Sequence, residues 1–281
     1  MMVSTTAPSS ATAVPVGTGP TADGLAPHAT QAPRLAMHDI AHSFGGLQVL
    51  RKIDVAVPAG RIVGLIGPNG SGKTTCFNIA SGFLRPRAGR VMLDGADISS
   101  FSVQQRSRAG LVRTFQAPQV FDQMSVLENL MVGEHKSTHT GVLAGMLGTR
   151  GARAEFGATR ARAAQCAERF GLGRLLDTRA GLLPAGQRRV VELARACIGG
   201  PRVLLLDEPS SGLNSEEIEV LRRWILELNR GGLTVFLVSH DMGLMTVCDE
   251  VHVLYFGELI ASGGLAEVQT NARVREAYLG V

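Results

Sequence analysis

Residues Gly67-Pro-Asn-Gly-Ser-Gly-Lys-Thr74 fit the spacing G-x-x-x-x-G-K-[ST]. Glycine lets the main chain approach a ligand closely, so the N–H groups of such a loop can surround phosphate oxygens. In that arrangement Lys73 reaches the β- and γ-phosphates of a nucleotide as a point charge, and Thr74 holds a divalent metal. Gly67, Pro68, Asn69, Gly70, Ser71, Gly72 and Thr75 complete the candidate phosphate site. Even with 34 glycines in 281 residues, such a match is expected by chance only about 0.005 times per chain.

A second group of residues could act on what that loop holds. Val203-Leu-Leu-Leu206 is a strand-length apolar run ending in Asp207 and Glu208. One carboxylate at such a strand end can ligate the metal while its neighbour faces a water, and Glu208 is the candidate general base. His240 follows the apolar run Thr234–Val238, at the carboxyl end of a strand where ligands of open α/β sheets bind, and is a candidate γ-phosphate contact.

The elements needed to position these groups follow from hydrophobic spacing. Leu35–Val57 reads as an antiparallel strand pair, with Ile53, Val55 and Val57 alternating with polar neighbours. Arg61–Ile66 is a buried strand that runs into the glycine loop, and a helix is predicted over 73–81, its positive end toward the anion. Further strands fit Arg90–Leu93, Leu111–Thr114, Val203–Leu206, Thr234–Val238 and Glu250–Tyr255, and their alternation with helices predicts a mostly parallel sheet. Between Gln116 and Leu183 apolar residues recur at helical spacing, as in Val126, Leu127, Leu130 and Met131, and again in Phe170, Leu172, Leu175 and Leu176. A helical subdomain is therefore expected over about 117–185, with a glycine-rich piece, Gly141–Gly157, inside it.

Composition narrows the function classes. Net charge is +4 with a pI near 9.2, yet no basic run longer than Arg188-Arg189 stands out, so a solvated basic surface is expected and no nucleic-acid partner. Cys76, Cys166, Cys197 and Cys248 lie far apart without metal-ligand spacing and read as reduced thiols. No apolar run approaches the roughly 20 residues of a spanning helix. Residues 1–33, rich in Ala, Thr, Ser, Pro and Gly, read as a disordered tail, which leaves 34–281 for the fold.

Taken in order, the motifs resemble the ATP-binding cassette (ABC) family. The phosphate loop Gly67–Thr74 is followed by Thr114-Phe-Gln116 as the Q-loop and Leu183-Pro-Ala-Gly-Gln187 in the signature position. Leu206-Asp-Glu-Pro209, the D-loop Ser211-Gly-Leu-Asn214 and the switch His240 complete the series. The resemblance implies an α/β fold: a P-loop NTPase cassette with a RecA-like, mostly parallel sheet, an antiparallel β subdomain and a helical subdomain. It implies ATP and Mg²⁺, with Thr74, Gln116 and Asp207 toward the metal. Phe44 is either an adenine-stacking ring or a core phenylalanine. Family members work as head-to-tail pairs in which one chain's phosphate loop faces the other's signature, here Pro184, Ala185, Gly186 and Gln187, with Asn214 nearby. The helix opening at Leu183-Pro-Ala-Gly would offer its N–H groups to the γ-phosphate.

This chain departs from the common Leu-Ser-Gly-Gly-Gln by Pro184 and Ala185, which removes a serine hydroxyl, and Asn214 replaces a frequent Asp. Pro184 suits the first turn of a helix, so the N–H groups of Gly186 and Gln187 remain for phosphate. Phe44-Gly-Gly46, Arg113-Thr-Phe-Gln116, Val126–Leu130, Gly141–Gly157, Gly212-Leu-Asn214 and Ala277-Tyr-Leu-Gly280 resemble the ATPases of branched-chain amino acid importers, with urea-type importers and lipopolysaccharide exporters as overlapping alternatives. The implied partners are a second ATPase protomer, membrane permease subunits contacted near Ala117–Met124, and a solute-binding protein, at the cytoplasmic face of the membrane. A soluble cassette ATPase in DNA repair or translation, and a regulatory subunit with little hydrolysis, are the rival classes.

Overall fold

The computed structural model describes Met1 and residues 33–134 and 149–279. The expected tail lies outside these residues apart from its first and last positions, as does the 141–148 part of the glycine-rich piece. Among the described residues the strands form two sheets. The first is four-stranded and antiparallel, in the order β2 (Leu47–Pro58), β1 (Pro33–Phe44), β4 (Ala88–Leu93), β5 (Ala96–Asp97). The second is six-stranded: β10 (Glu258–Gly263), β9 (Glu250–Tyr255), β3 (Ile62–Ile66), β8 (Thr234–Val238), β7 (Val203–Asp207), β6 (Leu111–Arg113). All its pairings are parallel except β9 with β10.

Parallel strands buried on both faces need continuous apolar runs, and β3, β7 and β8 are buried at every residue. Their alternating side chains divide two cores. Ile62, Ile66, Leu204, Leu206, Val235 and Leu237 pack under α3 (Val126–Gly133), α4 (Arg150–Arg169), α5 (Ala185–Cys197) and α6 (Ser215–Arg230). Val63, Leu65, Val203, Leu205, Phe236 and Val238 face α1 (Lys73–Ser81) and the inner side of the antiparallel sheet, and α2 (Val103–Arg108) leads into β6. The six-stranded sheet is the middle layer, and its carboxyl edge carries the loops that hold the candidate site.

Two expectations are corrected. Strand 90–93 belongs to the antiparallel sheet, where Leu35 pairs with Leu93 and Met37 with Val91. Its period marks a strand but not which sheet takes it up. The helix expected through Phe170–Leu176 ends at Arg169: Gly171 has φ 70°, and only a 3₁₀ turn, Gly173–Leu175, follows. Glycine in the left-handed region stops an α-helix that apolar spacing alone would continue. The 150–157 part of the glycine-rich piece is helical, within α4, started by the Thr149 hydroxyl accepting from the Ala152 N–H.

Beyond β8, α7 (Met242–Met245) precedes β9, and α8 (Leu265–Thr270) and α9 (Ala272–Leu279) close the described chain. All four cysteines are free. No helix among the described residues is long and apolar enough to cross a membrane.

Candidate functional site

The site starts where β3 ends. Gly67 has φ 157°, and a Cβ there would meet the Leu254 carbonyl oxygen at 2.1 Å, so only glycine lets the chain turn this close to β9. Gly72 caps α1 at φ 107° with no side-chain bond, and the first turn holds no acidic residue. A helix start of this kind keeps its amides and its positive dipole end for an anion. Asn69, Gly70, Gly72, Lys73, Thr74 and Thr75 line a cavity of about 610 Å³ together with Val49, Gln116, Glu208 and His240. Lys73 Nζ donates to the carbonyl oxygens of Gly67 (2.6 Å) and Pro68 (2.9 Å), which brackets the loop. Partial burial lowers its pKa, and the charge of Glu208 opposes that shift.

The opposite wall comes from β7 and β8. Glu208 sits at φ 45°, donates its N–H to Val238 O at 2.8 Å, and accepts from the His240 amide at 3.2 Å through Oε2. His240 Nδ1 is 2.7 Å from the same oxygen, so its ring pairs with Glu208 while 73% of the side chain stays exposed. Asp207 is turned to one side, its Oδ2 bound by Arg113 Nη2 at 2.5 Å. The hydroxyl of Thr74, the amide of Gln116 and the carboxylate of Asp207 are hard oxygen donors, the set that Mg²⁺ prefers. Two of these residues, Thr74 and Gln116, line the cavity.

Other candidate residues lie apart from this cavity. Phe44 is 52% exposed and meets the His42 ring edge-on at 4.7 Å, so it is not a core phenylalanine. Pro184, Ala185, Gly186 and Gln187 form the start of α5, and Asn214 caps α6 with its side chain accepting from Glu217 N–H. Pro184 occupies the cap itself (φ −54°, ψ 157°) rather than the first turn, and has no side-chain acceptor to give. Glu217 replaces it, with Oε1 taking the Gly186 N–H at 2.9 Å. Of the two amides expected to remain for phosphate, Gly186 is therefore bound within the chain to a carboxylate, an anionic partner of the kind that helix end favours.

Sequence reasoning missed three residues. Val49 lines the cavity from β2 and carries no chemical signal. Tyr278, noticed only as part of Ala277–Gly280, comes from α9 toward the loop. Burial pushes its hydroxyl up to about 12 against backbone hydrogen bonding from Gly67, and the charge of Glu208 adds to the rise. Arg113, noticed only within Arg113–Gln116, holds Asp207; an arginine ending a strand opposite a second strand's aspartate was the available hint.

Comparison with known proteins gives the same picture. Residues 50–211 match the ABC transporter family model, and residues 258–281 a model described as branched-chain amino acid ATP-binding cassette transporter. The chain is 39% identical over 250 residues to a high-affinity branched-chain amino acid transport ATP-binding protein of Salmonella typhimurium, covering 88% of this chain and 98% of that protein. It is 34% identical over 247 residues to the lipopolysaccharide export system ATP-binding protein of Acidithiobacillus ferridurans, covering 88% and 96%. A solved ATP-binding cassette of an ABC transporter in its ADP conformation superimposes with TM-score 0.78 at 30% identity, over 89% of this chain and all of that one. A nucleotide-free cassette gives 0.77 at 31% identity, over 89% and 100%. The family model spans more than half of the chain and the Salmonella relative covers 88% of it, so the chain belongs to the ABC transporter family as an ATP-binding, ATP-hydrolysing cassette.

Proposed function

We propose that this cassette energises the uptake of branched-chain amino acids or related small polar solutes. The observation that carries the solute class is the match of residues 258–281, beyond the 50–211 matched by the general family model, to the branched-chain amino acid transporter model. The name of the Salmonella relative supports the same class.

In this reading ATP lies with its phosphates in the loop 67–74 and its adenine against Phe44. Lys73 draws on the β- and γ-phosphates, Glu208 polarises the attacking water, and His240, oriented by Glu208, contacts the γ-phosphate. Thr74, Gln116 and Asp207 would hold Mg²⁺, which would supply charge neutralisation at the phosphates. Because Pro184–Gln187 and Asn214 do not line the Lys73 cavity, closure around the γ-phosphate calls for a second protomer that presents them head to tail. Loss of that phosphate removes the bridge and lets the pair reopen. Membrane permease subunits, contacted near 117–124, convert the motion into transport at the cytoplasmic face. A solute-binding protein delivers the cargo, and nucleic acid has no part.

Two measurements test the reading. Glu208→Gln should retain ATP binding and lose at least ~10²-fold in turnover, as for a general base; undiminished turnover removes Glu208 from the role. Copurified with its membrane subunits, the cassette should hydrolyse ATP faster with leucine, isoleucine or valine than with urea. Stimulation by urea alone, or by lipopolysaccharide, assigns the cargo to the other classes.

A further inference from the structure

Beside the cavity runs a buried chain of polar groups that starts at Asp207. Arg113, the last residue of β6, has a side chain only 7% exposed, with Nη2 on Asp207 Oδ2 at 2.5 Å. Its Nη1 donates to Asn78 Oδ1 and Ser81 Oγ of α1, both at 2.8 Å. The rings of Phe77, Phe83 and Phe115 surround the guanidinium with centroids 5.8, 5.6 and 5.4 Å away. A planar cation that donates to three fixed acceptors and has rings about it has little freedom left.

The segment that follows Arg113 is gripped from the other side. Arg189 of α5 donates to Phe115 O at 2.8 Å and Gln116 O at 2.5 Å. Glu192 Oε1 accepts from the N–H groups of Phe115 (3.4 Å) and Gln119 (3.3 Å), and Glu192 Oε2 meets Arg189 at 2.6 Å. Both side chains are 3% exposed. Five hydrogen bonds within this pair and to the main chain hold the Phe115–Gln119 backbone against α5, although Arg113 Nε and Arg189 Nε find no partner. At the far end, Glu208 occupies the left-handed region at φ 45°, a conformation that a non-glycine residue keeps only where its surroundings fix it.

We propose that Arg113 is a positioning residue: it fixes Asp207, and so the strained Glu208 that follows, in register with the helix carrying Pro184–Gln187. The buried Arg189–Glu192 pair supplies the other half of the link by holding the Q-loop backbone between them. The inference rests on the proposed role of Glu208 as general base.

The test compares Arg113→Met, Arg113→Lys and Glu192→Gln in the full chain, with kcat from phosphate release, ATP Kd from equilibrium binding, and folding from circular dichroism and melting. In Arg113→Met, kcat should fall about 10-fold or more while Kd stays within about two-fold, because a small misplacement of a reacting group costs rate and not affinity. Arg113→Lys should recover part of the loss, and Glu192→Gln should add less than multiplicatively to Arg113→Met, as for members of one network. A folded Arg113→Met with the parent kcat overturns the inference; should that variant not fold, a parent-like Arg113→Lys does so. Parallel loss of kcat and affinity overturns it too, since a merely structural arginine gives that result. If Glu208→Gln abolishes turnover and the arginine variants do not, this inference alone fails; if Glu208→Gln is active, the reading beneath it fails.

Discussion

Both α1 and α5 begin without a capping side chain of their own, and they meet the shortage differently. α1 starts at Gly72, with its first residues lining the nucleotide cavity and Lys73 turned onto the carbonyls of its own loop. α5 starts at Pro184 and takes a carboxylate oxygen from Glu217, 31 residues beyond Gly186. The first arrangement is local: loop, lysine and helix start are contiguous, so it forms wherever β3 delivers the chain. The second depends on α5 and α6 lying side by side, so its anion partner is supplied by tertiary packing. A contiguous site can hold a ligand by itself, whereas the start of α5 already has a carboxylate of its own chain at Gly186.

The difference can be broken at either end. Lys73→Ala should weaken ATP binding by about 10- to 100-fold, since a charge-assisted phosphate contact is lost; unchanged affinity in a nucleotide titration would detach the lysine from the loop's function. Glu217→Ala strips the cap from Gly186 and also the Asn214 N–H bond at 3.0 Å. It should cost about 1–2 kcal/mol, seen as a fall of several degrees in melting temperature, and a parent-like melt would mean that the Glu217 cap is idle. Pro184→Ser restores a capping hydroxyl and should stabilise by up to about 1 kcal/mol in a denaturant titration; destabilisation would show that the fixed φ of proline outweighs the missing acceptor. Removal of residues 2–32 should leave both helix starts, and hence turnover and melting, unchanged, and loss of either would place that segment in the fold.

The site also differs in how far its residues could be read. Gly67–Thr74 announced itself because a phosphate loop is a contiguous pattern whose chemistry lives in the backbone. Asp207 and Glu208 were legible because an apolar run ending in two acids has few other uses beside such a loop, and His240 because it follows a buried strand. Phe44 was ambiguous between stacking and core, since an aromatic residue in a strand fits both until its exposure is known.

The sequence by itself determined the succession of strand, glycine loop and helix around Gly67–Gly72, the α1 boundaries at Lys73–Ser81 and the apolar strands of the central sheet. These follow from local spacing: period two or 3.6, glycine where the chain must turn, carboxylates where a strand stops. Only the tertiary structure decided that strand 88–93 joins the antiparallel sheet, that Glu217 caps the signature helix, and that Arg113 holds Asp207 across 94 residues. Each is a pairing between segments distant in the chain. Side-chain type states what a residue can bond to, while the packing of the layers determines which partner comes within reach.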